Sequence, residues 1–282
     1  MQIGEYKIHS IQAGLFKLDG GAMFGVVPKV MWNRSNPADE SNRIEMCTRV
    51  LLLESSSKKI LVDTGIGYKM SKKLNEIYAV DYTEHTLEKE LSALNVKPEE
   101  VTDVILTHLH FDHAGGSTRI AGDEAVPAFE NAVYHVQEKH LEWANNPTER
   151  DKASFFPKDF KPLEDRKQLR TIDGEHEFDG NISLIPLNGH TRNMQMVKIH
   201  DGSNALYYTA DLFPMASHVP LPYIMGYDLF PLVTLEEKKK YLKEMYENNY
   251  TVFFEHDPYV EAGKIGFDGK SYFLKEKFNI NQ

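Results

Sequence analysis

The chain holds a single cysteine, Cys47, so no internal disulfide framework is available. That count suits a reducing compartment, and Cys47 reads as an ordinary packed thiol. Long apolar runs are missing as well. No stretch approaches the ~20 residues needed to cross a bilayer, and residues 1–6 lack the charged and apolar regions of a signal peptide. The expectation is a cytoplasmic protein with no membrane contact. Basic residues are outnumbered: 32 Lys and Arg face 42 Asp and Glu, for a formal charge of −10. The one lysine triplet, Lys238-Lys239-Lys240, directly follows Glu236 and Glu237. Binding nucleic acid takes a basic face that neutralises phosphates, so a small-molecule substrate is expected instead. No linker-like stretch divides the chain. With 282 residues, 41% of them hydrophobic, it is expected to form one domain over 1–282.

What the chain has in abundance is concentrated at residues 104–116, Val-Ile-Leu-Thr-His-Leu-His-Phe-Asp-His-Ala-Gly-Gly. An apolar, β-branched run reads as a buried strand. Three histidines and an aspartate then fall within six positions before a Gly-Gly breaker. Side chains alternate along an extended segment, which puts His108, His110 and Asp112 on one side while His113 turns away at the bend. Two neighbouring metal positions can be served in this way. Neutral imidazole and carboxylate are good zinc ligands, and a catalytic zinc keeps one position open for water.

Thr107-His108-Leu109-His110-Phe111-Asp112-His113-Ala114-Gly115-Gly116 resembles the signature of the metallo-β-lactamase superfamily, and its context extends the resemblance over nearly the whole chain. A strand ending in Asp63 precedes it. Gly189-His190, a strand ending in Asp211 and a last strand ending in His256 follow. The resemblance implies a four-layer αβ/βα sandwich. It gives His108, His110 and His190 to one zinc, Asp112, His113 and His256 to a second, and Asp211 to both. Manganese, iron or cobalt could replace zinc, and dimers are common among such proteins. It further implies hydrolysis by a metal-bridging hydroxide, with Asp112 as a proton shuttle. Flavodiiron proteins favour an acidic residue where His110 stands, and zinc β-lactamases place Cys or Ser at the position of Asp211. Neither fits. A non-catalytic metal-binding sensor would not need the full ligand set.

Residues 19–28, Asp-Gly-Gly-Ala-Met-Phe-Gly-Val-Val-Pro, with the later Trp32, resemble the lactonase branch that opens N-acyl homoserine lactones and the neighbouring phosphotriesterase-like branch. A glyoxalase-II-like thioesterase shares the ligands but not this stretch. Too punctuated by Gly and Pro for a regular element, residues 22–32 are expected to overhang the metals, with Met23, Phe24 and Trp32 lining an acyl pocket. Residues 145–169 read as a Pro-broken loop or lid with Phe155, Phe156 and Phe160 exposed, the first two as substrate contacts. Acyl-homoserine lactonases carry a tyrosine three residues after the bridging aspartate, where this chain has Pro214. His218 is the candidate replacement donor, and Tyr223 and Tyr227 are further groups able to reach in.

Elsewhere the pattern gives an edge strand over 6–14 that turns at 15–21, and a hairpin of 45–54 with 59–63. A loosely helical insert is expected at 68–82, an amphipathic helix over 86–94, and further strands at 132–136, 182–187, 194–199, 205–210 and 249–254. Helices are expected at 137–144 and 235–246. The strand–helix–strand passage into residue 104 favours a layered α/β fold. His135 and His140 read as structural, and Asp63 as a carboxylate that orients a ligand histidine through its outer N–H.

Overall fold

The computed structural model describes residues 1–281. Its strands are β1 (Gln2–Ile3), β2 (Tyr6–Asp19), β3 (Arg43–Glu54), β4 (Lys59–Val62) and β5 (Asp103–Ile105), then a small hairpin of β6 (Thr118–Ala121) and β7 (Glu124–Pro127). They continue with β8 (Val133–Gln137), β9 (Leu169–Ile172), β10 (His176–Asp179), β11 (Ile182–Leu187), β12 (Met194–His200), β13 (Ala205–Tyr208), β14 (Thr251–Phe253), β15 (Ala262–Phe267) and β16 (Tyr272–Phe278). Two seven-stranded sheets result, ordered β1-β2-β3-β4-β5-β8-β9 and β10-β11-β12-β13-β14-β15-β16. Helices α1 (Gly20–Phe24), α2 (Lys29–Trp32), α3 (Lys72–Ile77), α4 (Leu87–Ala93), α5 (Phe111–Ala114), α6 (Glu138–Asn145), α7 (Pro157–Asp165) and α8 (Pro231–Glu247) complete the chain.

The layering follows from alternation along each strand. Leu51, Leu53, Ile60, Val62 and Ile105 point into the core shared with the second sheet, where they join Leu184, Met196 and Tyr208. Their neighbours Val50, Leu52, Leu61, Val104 and Leu106 point the other way, onto Leu91 of α4, Ala144 of α6 and Leu163 of α7. Shifting any of these strands by one residue would exchange the two faces. Tyr241, Leu242 and Met245 of α8 join the shared core from the second sheet's side, so the fold is the four-layer αβ/βα sandwich expected. Among the described residues no helix is long and apolar enough to cross a membrane.

Each sheet also contains a parallel step, β4 to β5 and β13 to β14, crossed by α4 and α8 respectively. Parallel strands aim their carboxyl ends at one edge, and ligand sites gather there. Asp63 follows β4, the 107–113 loop follows β5, Asp211 lies just past β13, and His256 just past β14.

Several local expectations are corrected. The first long strand does not turn at 15–21. It runs to Asp19, because Leu15 and Lys17 pair with Cys47 and Glu45 after a bulge between Gln12 and Gly14. Residues 22–32 are short helices rather than a loop, the first started by Asp19 Oδ1 accepting the Ala22 N–H at 2.8 Å. Pro162 lies inside α7, and Phe155 and Phe160 are buried rather than exposed, with Phe156 half-buried. The Gly-Gly pair is not chiefly a breaker. A Cβ on Gly115 would lie 1.9 Å from the Ile66 carbonyl oxygen, and one on Gly116 2.2 Å from that of Thr64. The loop after β4 packs on bare backbone there.

Lys238 of α8 is fully buried and donates to the carbonyls of His218, Pro220 and Tyr223 at 2.7, 2.9 and 2.7 Å. Burial draws its ammonium down to about 7, against the pull of Asp228. Three acceptors around three donors offset that desolvation. Lys238→Met would strand these carbonyls at about 1–3 kcal/mol each. A net loss of about 3 kcal/mol is therefore expected in urea unfolding, and an unchanged midpoint would refute the stapling role.

Candidate metal centre and cleft

His110 is the N-cap of α5, so one residue separates an extended backbone from the helical turn carrying Asp112 and His113. In the first cluster His108 Nε2 lies 3.0 Å from His110 Nδ1, and His190 Nε2 lies 3.2 Å from the same atom. Asp211 Oδ2 is 3.0 Å from His190 Nε2 and 3.7 Å from His108 Nε2. In the second cluster His113 Nε2 and His256 Nε2 are 3.2 Å apart, with Asp112 oxygens at 3.9 and 3.8 Å from them. Asp211 reaches this cluster too, Oδ2 at 3.5 Å from His113 Nε2 and Oδ1 at 3.4 Å from His256 Nε2. All seven side chains named as ligands from the sequence are buried and come together in these two groups.

Donor atoms bound at 2.0–2.2 Å around one tetrahedral ion are roughly 3.3–3.6 Å apart, close to the separations here. Lone pairs aimed at each other in a dry interior repel unless a proton or cation lies between them. Asp211 Oδ1, buried, has no hydrogen-bond partner among the described residues. The residues therefore fit a pair of divalent cations.

The outer ring nitrogens are held. His113 Nδ1 faces Asp63 Oδ2 at 3.0 Å and Glu255 Oε1 at 3.1 Å. Asp63, in a left-handed conformation at φ 60°, also accepts the Thr107 N–H and O–H, both at 2.7 Å, and the Tyr208 O–H at 3.2 Å. His190 Nδ1 donates to Asp228 Oδ1 at 2.9 Å, and Asp228 Oδ2 accepts the Thr234 hydroxyl at 2.8 Å. His256 Nδ1 donates to the Cys47 carbonyl at 2.9 Å. Such partners fix ring orientation and raise ligand basicity. His140 accepts the Leu109 N–H on Nε2 and donates from Nδ1 to the Arg192 carbonyl, so it braces the loop. His135 pairs with Asp103 at 2.8 Å. Sequence reasoning missed Glu255 and Asp228. The first adjoins a ligand, but nothing in the sequence ties the second to His190.

Burial opposes charge on every imidazole, and the carboxylates decide the outcome. His108 and His110 are held well below the usual range by burial and by neighbouring histidines. Burial opposes charge on His190 as well, but Asp211 and Asp228 lift it to about 10. Asp211 and Glu255 likewise outweigh burial at His256 and lift it to about 9. Burial would raise Asp211, yet His190 and His113 hold it well below the ordinary carboxylate range. Without cations the centre thus retains protons.

A cleft of about 410 Å³ opens on His110, Asp112, His190, Asp211 and His256. A cavity of about 450 Å³ elsewhere contains none of the ligands. Leu18, Met23, Met46, Phe111, Met225 and Leu229 give the cleft apolar walls, and Tyr78, Arg150 and Tyr227 are polar groups on it. Of the six side chains expected to contact substrate, only Met23 lines it. Phe24 and Trp32 stack on each other behind it, at 5.2 Å and 10°, with Tyr223 edge-on to Phe24 at 6.0 Å. Phe155 packs on His110 at 4.7 Å and Phe156 on Phe111 at 5.6 Å, supporting the centre from behind. His218 is corrected as well. Its ring stacks on Phe24 at 4.7 Å, its Nε2 donates to the Met23 carbonyl at 2.8 Å, and burial draws it down to about 3. It is buried and absent from the cleft wall, and its donor is used on backbone.

Residues 48–256 match the Metallo-beta-lactamase superfamily. The chain belongs to that superfamily and is a metal-dependent hydrolase. It is 26% identical over 228 residues, 75% of its length and 82% of the other's, to the N-acyl homoserine lactonase of Bacillus cereus. The crystal structure of a probable metal-dependent hydrolase from Staphylococcus aureus is similar at a TM-score of 0.88 and 30% identity, over 99% of this chain and 100% of that one. The fold is shared with AidC, a dizinc quorum-quenching lactonase in complex with a product, N-hexanoyl-L-homoserine, at a TM-score of 0.79 and 20% identity, over 99% of this chain and 96% of that one.

Asp228→Asn should lower divalent-metal affinity about 10–100-fold, measured by competition with a chromophoric chelator; unchanged affinity would remove Asp228 from the centre's support. Because His190 and His256 titrate near 10 and 9, both are protonated at pH 7 in the metal-free protein and must release those protons on metal binding. Apparent affinity should therefore rise with pH up to about that range. Calorimetry in buffers of different ionisation enthalpy should register more than one proton released per filled centre, and no release would contradict this charge state.

Proposed function

We propose that the protein opens the ring of a lactone of the N-acyl homoserine type, using two divalent cations, zinc in the first instance. The observation that carries this reading is the shared carboxylate: Asp211 lies within 3.7 Å of histidines from both clusters, at the floor of an apolar cleft. Two cations held by His108, His110 and His190 and by Asp112, His113 and His256, with Asp211 between, would supply acidified water and an electrophile for the carbonyl oxygen.

The side chains do the rest. Asp211 keeps its negative charge in the interior, balanced by the flanking histidines. Asp228, Asp63 and the Cys47 carbonyl hold three imidazoles in orientation, so little reorganisation is needed during reaction. Asp112 lies on the cleft wall, where a carboxyl oxygen could carry a proton to the departing ring alkoxide. Met23, Met46 and Met225 offer an adaptable apolar surface for an acyl chain, since methionine is flexible and polarisable. The Bacillus cereus relative is named a lactonase, in keeping with this substrate class.

The test is hydrolysis of an acyl-homoserine lactone series of increasing chain length by the zinc-loaded protein, beside paraoxon and a thioester, with Asp211→Ala as the blank. Expected are lactone opening that depends on chain length and a loss of at least about a hundredfold in the variant. Turnover of paraoxon or the thioester with none of the lactones would move the substrate assignment to an organophosphate triester or a thioester.

A further inference from the structure

We infer that Lys69 is a positioning residue of the metal centre: with Asp159 it clamps the turn carrying Asp112 and His113 against α7, and so sets where those two ligands meet their cation. The inference rests on the paired cations proposed above and is indifferent to the lactone. Lys69 lies in the loop after β4, with its side chain 5% exposed and that of Asp159 3% exposed. The ammonium donates to the Gly115 carbonyl, donates to the Thr118 carbonyl at 2.8 Å and pairs with Asp159 Oδ1 at 3.1 Å. Three acceptors thus surround three donors, and two of them belong to the stretch that leaves α5. Burial opposes charge on both partners, drawing Lys69 down and Asp159 up. An apolar pair of similar volume would hold the fold as well or better. What the ion pair adds is direction, because hydrogen bonds have a preferred geometry and apolar contacts do not.

The elements joined at Lys69 enclose the ligand turn. On one side the loop after β4 runs along it: Thr64 donates its N–H and O–H to the His113 carbonyl at 2.8 and 2.9 Å, and Gly116 donates its N–H to the Gly65 carbonyl at 2.9 Å. On the other side the Thr118 hydroxyl donates to the Lys158 carbonyl of α7 at 2.7 Å. Phe155 and Phe156, just before α7, pack on His110 and Phe111. A Cβ on Gly67 would lie 2.4 Å from the Gly115 carbonyl oxygen, so backbone meets backbone beside the ammonium. Packing this close leaves no slack to absorb a displacement. Gly115 is the C-cap of α5, which carries Asp112 and His113, so a shift there reaches both ligands within one helical turn. His108, His190 and Asp211 come from outside that turn. The effect therefore falls on the cation held by Asp112, His113 and His256.

The experiment compares the wild type with Lys69→Met, with Asp159→Asn and, as a destabilised control, with Met245→Ala, which opens a cavity in the shared core on α8. Each metal-free protein is titrated with zinc against a chromophoric chelator and with cobalt(II), whose visible absorption reports ligand geometry. Thermal midpoints are read alongside. Expected for Lys69→Met is that one of the two binding constants weakens about 10–100-fold, as when an outer support of a ligand is lost, with an altered spectrum for the cobalt bound there. Asp159→Asn, which keeps the shape and removes the charge, should weaken the same constant by less. Met245→Ala should lower the midpoint and leave both constants and the spectrum as in the wild type. Unchanged constants in Lys69→Met overturn the inference and leave the residue a stabiliser of the fold. Equal weakening of both constants, or the same loss in Met245→Ala, also overturns it, because lost stability alone would then explain the effect. If Lys69→Met does not fold, Asp159→Asn decides: a single weakened constant supports the clamp, and wild-type constants refute it. A wild type that binds no divalent cation removes the centre and this inference with it, whereas constants indifferent to Lys69 remove the inference alone.

Discussion

The structure depends on one buried carboxylate surrounded by imidazoles. Asp211 approaches His108, His113, His190 and His256, and placing so many ionisable groups out of water is costly unless each is paired or bound to a cation. No single element could supply them all. The two sheets must pack so that the carboxyl ends of β4, β5, β13 and β14 meet along one edge, which the shared core of Leu51, Ile105, Tyr208 and their neighbours enforces.

Packing around that edge is correspondingly tight. Gly115 and Gly116 lie on the backbone of the loop after β4 with no room for a side chain. Gly189 is equally restricted, since a Cβ there would meet Thr234 Oγ1 at 2.3 Å. Glycines of this kind let a helix start and two loops converge on the centre. The outer contacts come from distant parts of the chain: Asp63 for His113, Asp228 for His190 and the Cys47 carbonyl for His256. Orientation of the ligands is thus a property of the whole fold.

The cleft is built differently. Its apolar walls come from β2, α1, β3, α5 and the segment 225–229 that leads into α8. Behind them, the stack of Trp32, Phe24 and His218 holds α1 in place, tied to Lys238 through the His218 carbonyl. Aromatic residues that a linear reading assigns to a substrate are here the support for those that line the cleft. This follows from size: a large ring next to a narrow cleft is better buried against another ring, while flexible methionines adapt to the free surface.

The sequence by itself determined which seven histidine and aspartate side chains gather at the centre, the layered α/β fold and the approximate limits of the hairpin and of α4. These rest on short-range regularities: the two-residue period of strands, the capping of α4 by Thr86, and metal-binding residues so dense that few other needs explain them. Tertiary structure alone decided that His218 faces Met23, that Asp228 orients His190, that Phe155 and Phe160 are buried, and that Tyr78, Arg150 and Tyr227 share a wall with the ligands. The physical reason is separation along the chain. A side chain's period fixes which face of its own element it occupies, but its partner across 38 or 195 residues is fixed only when the sheets and loops have packed.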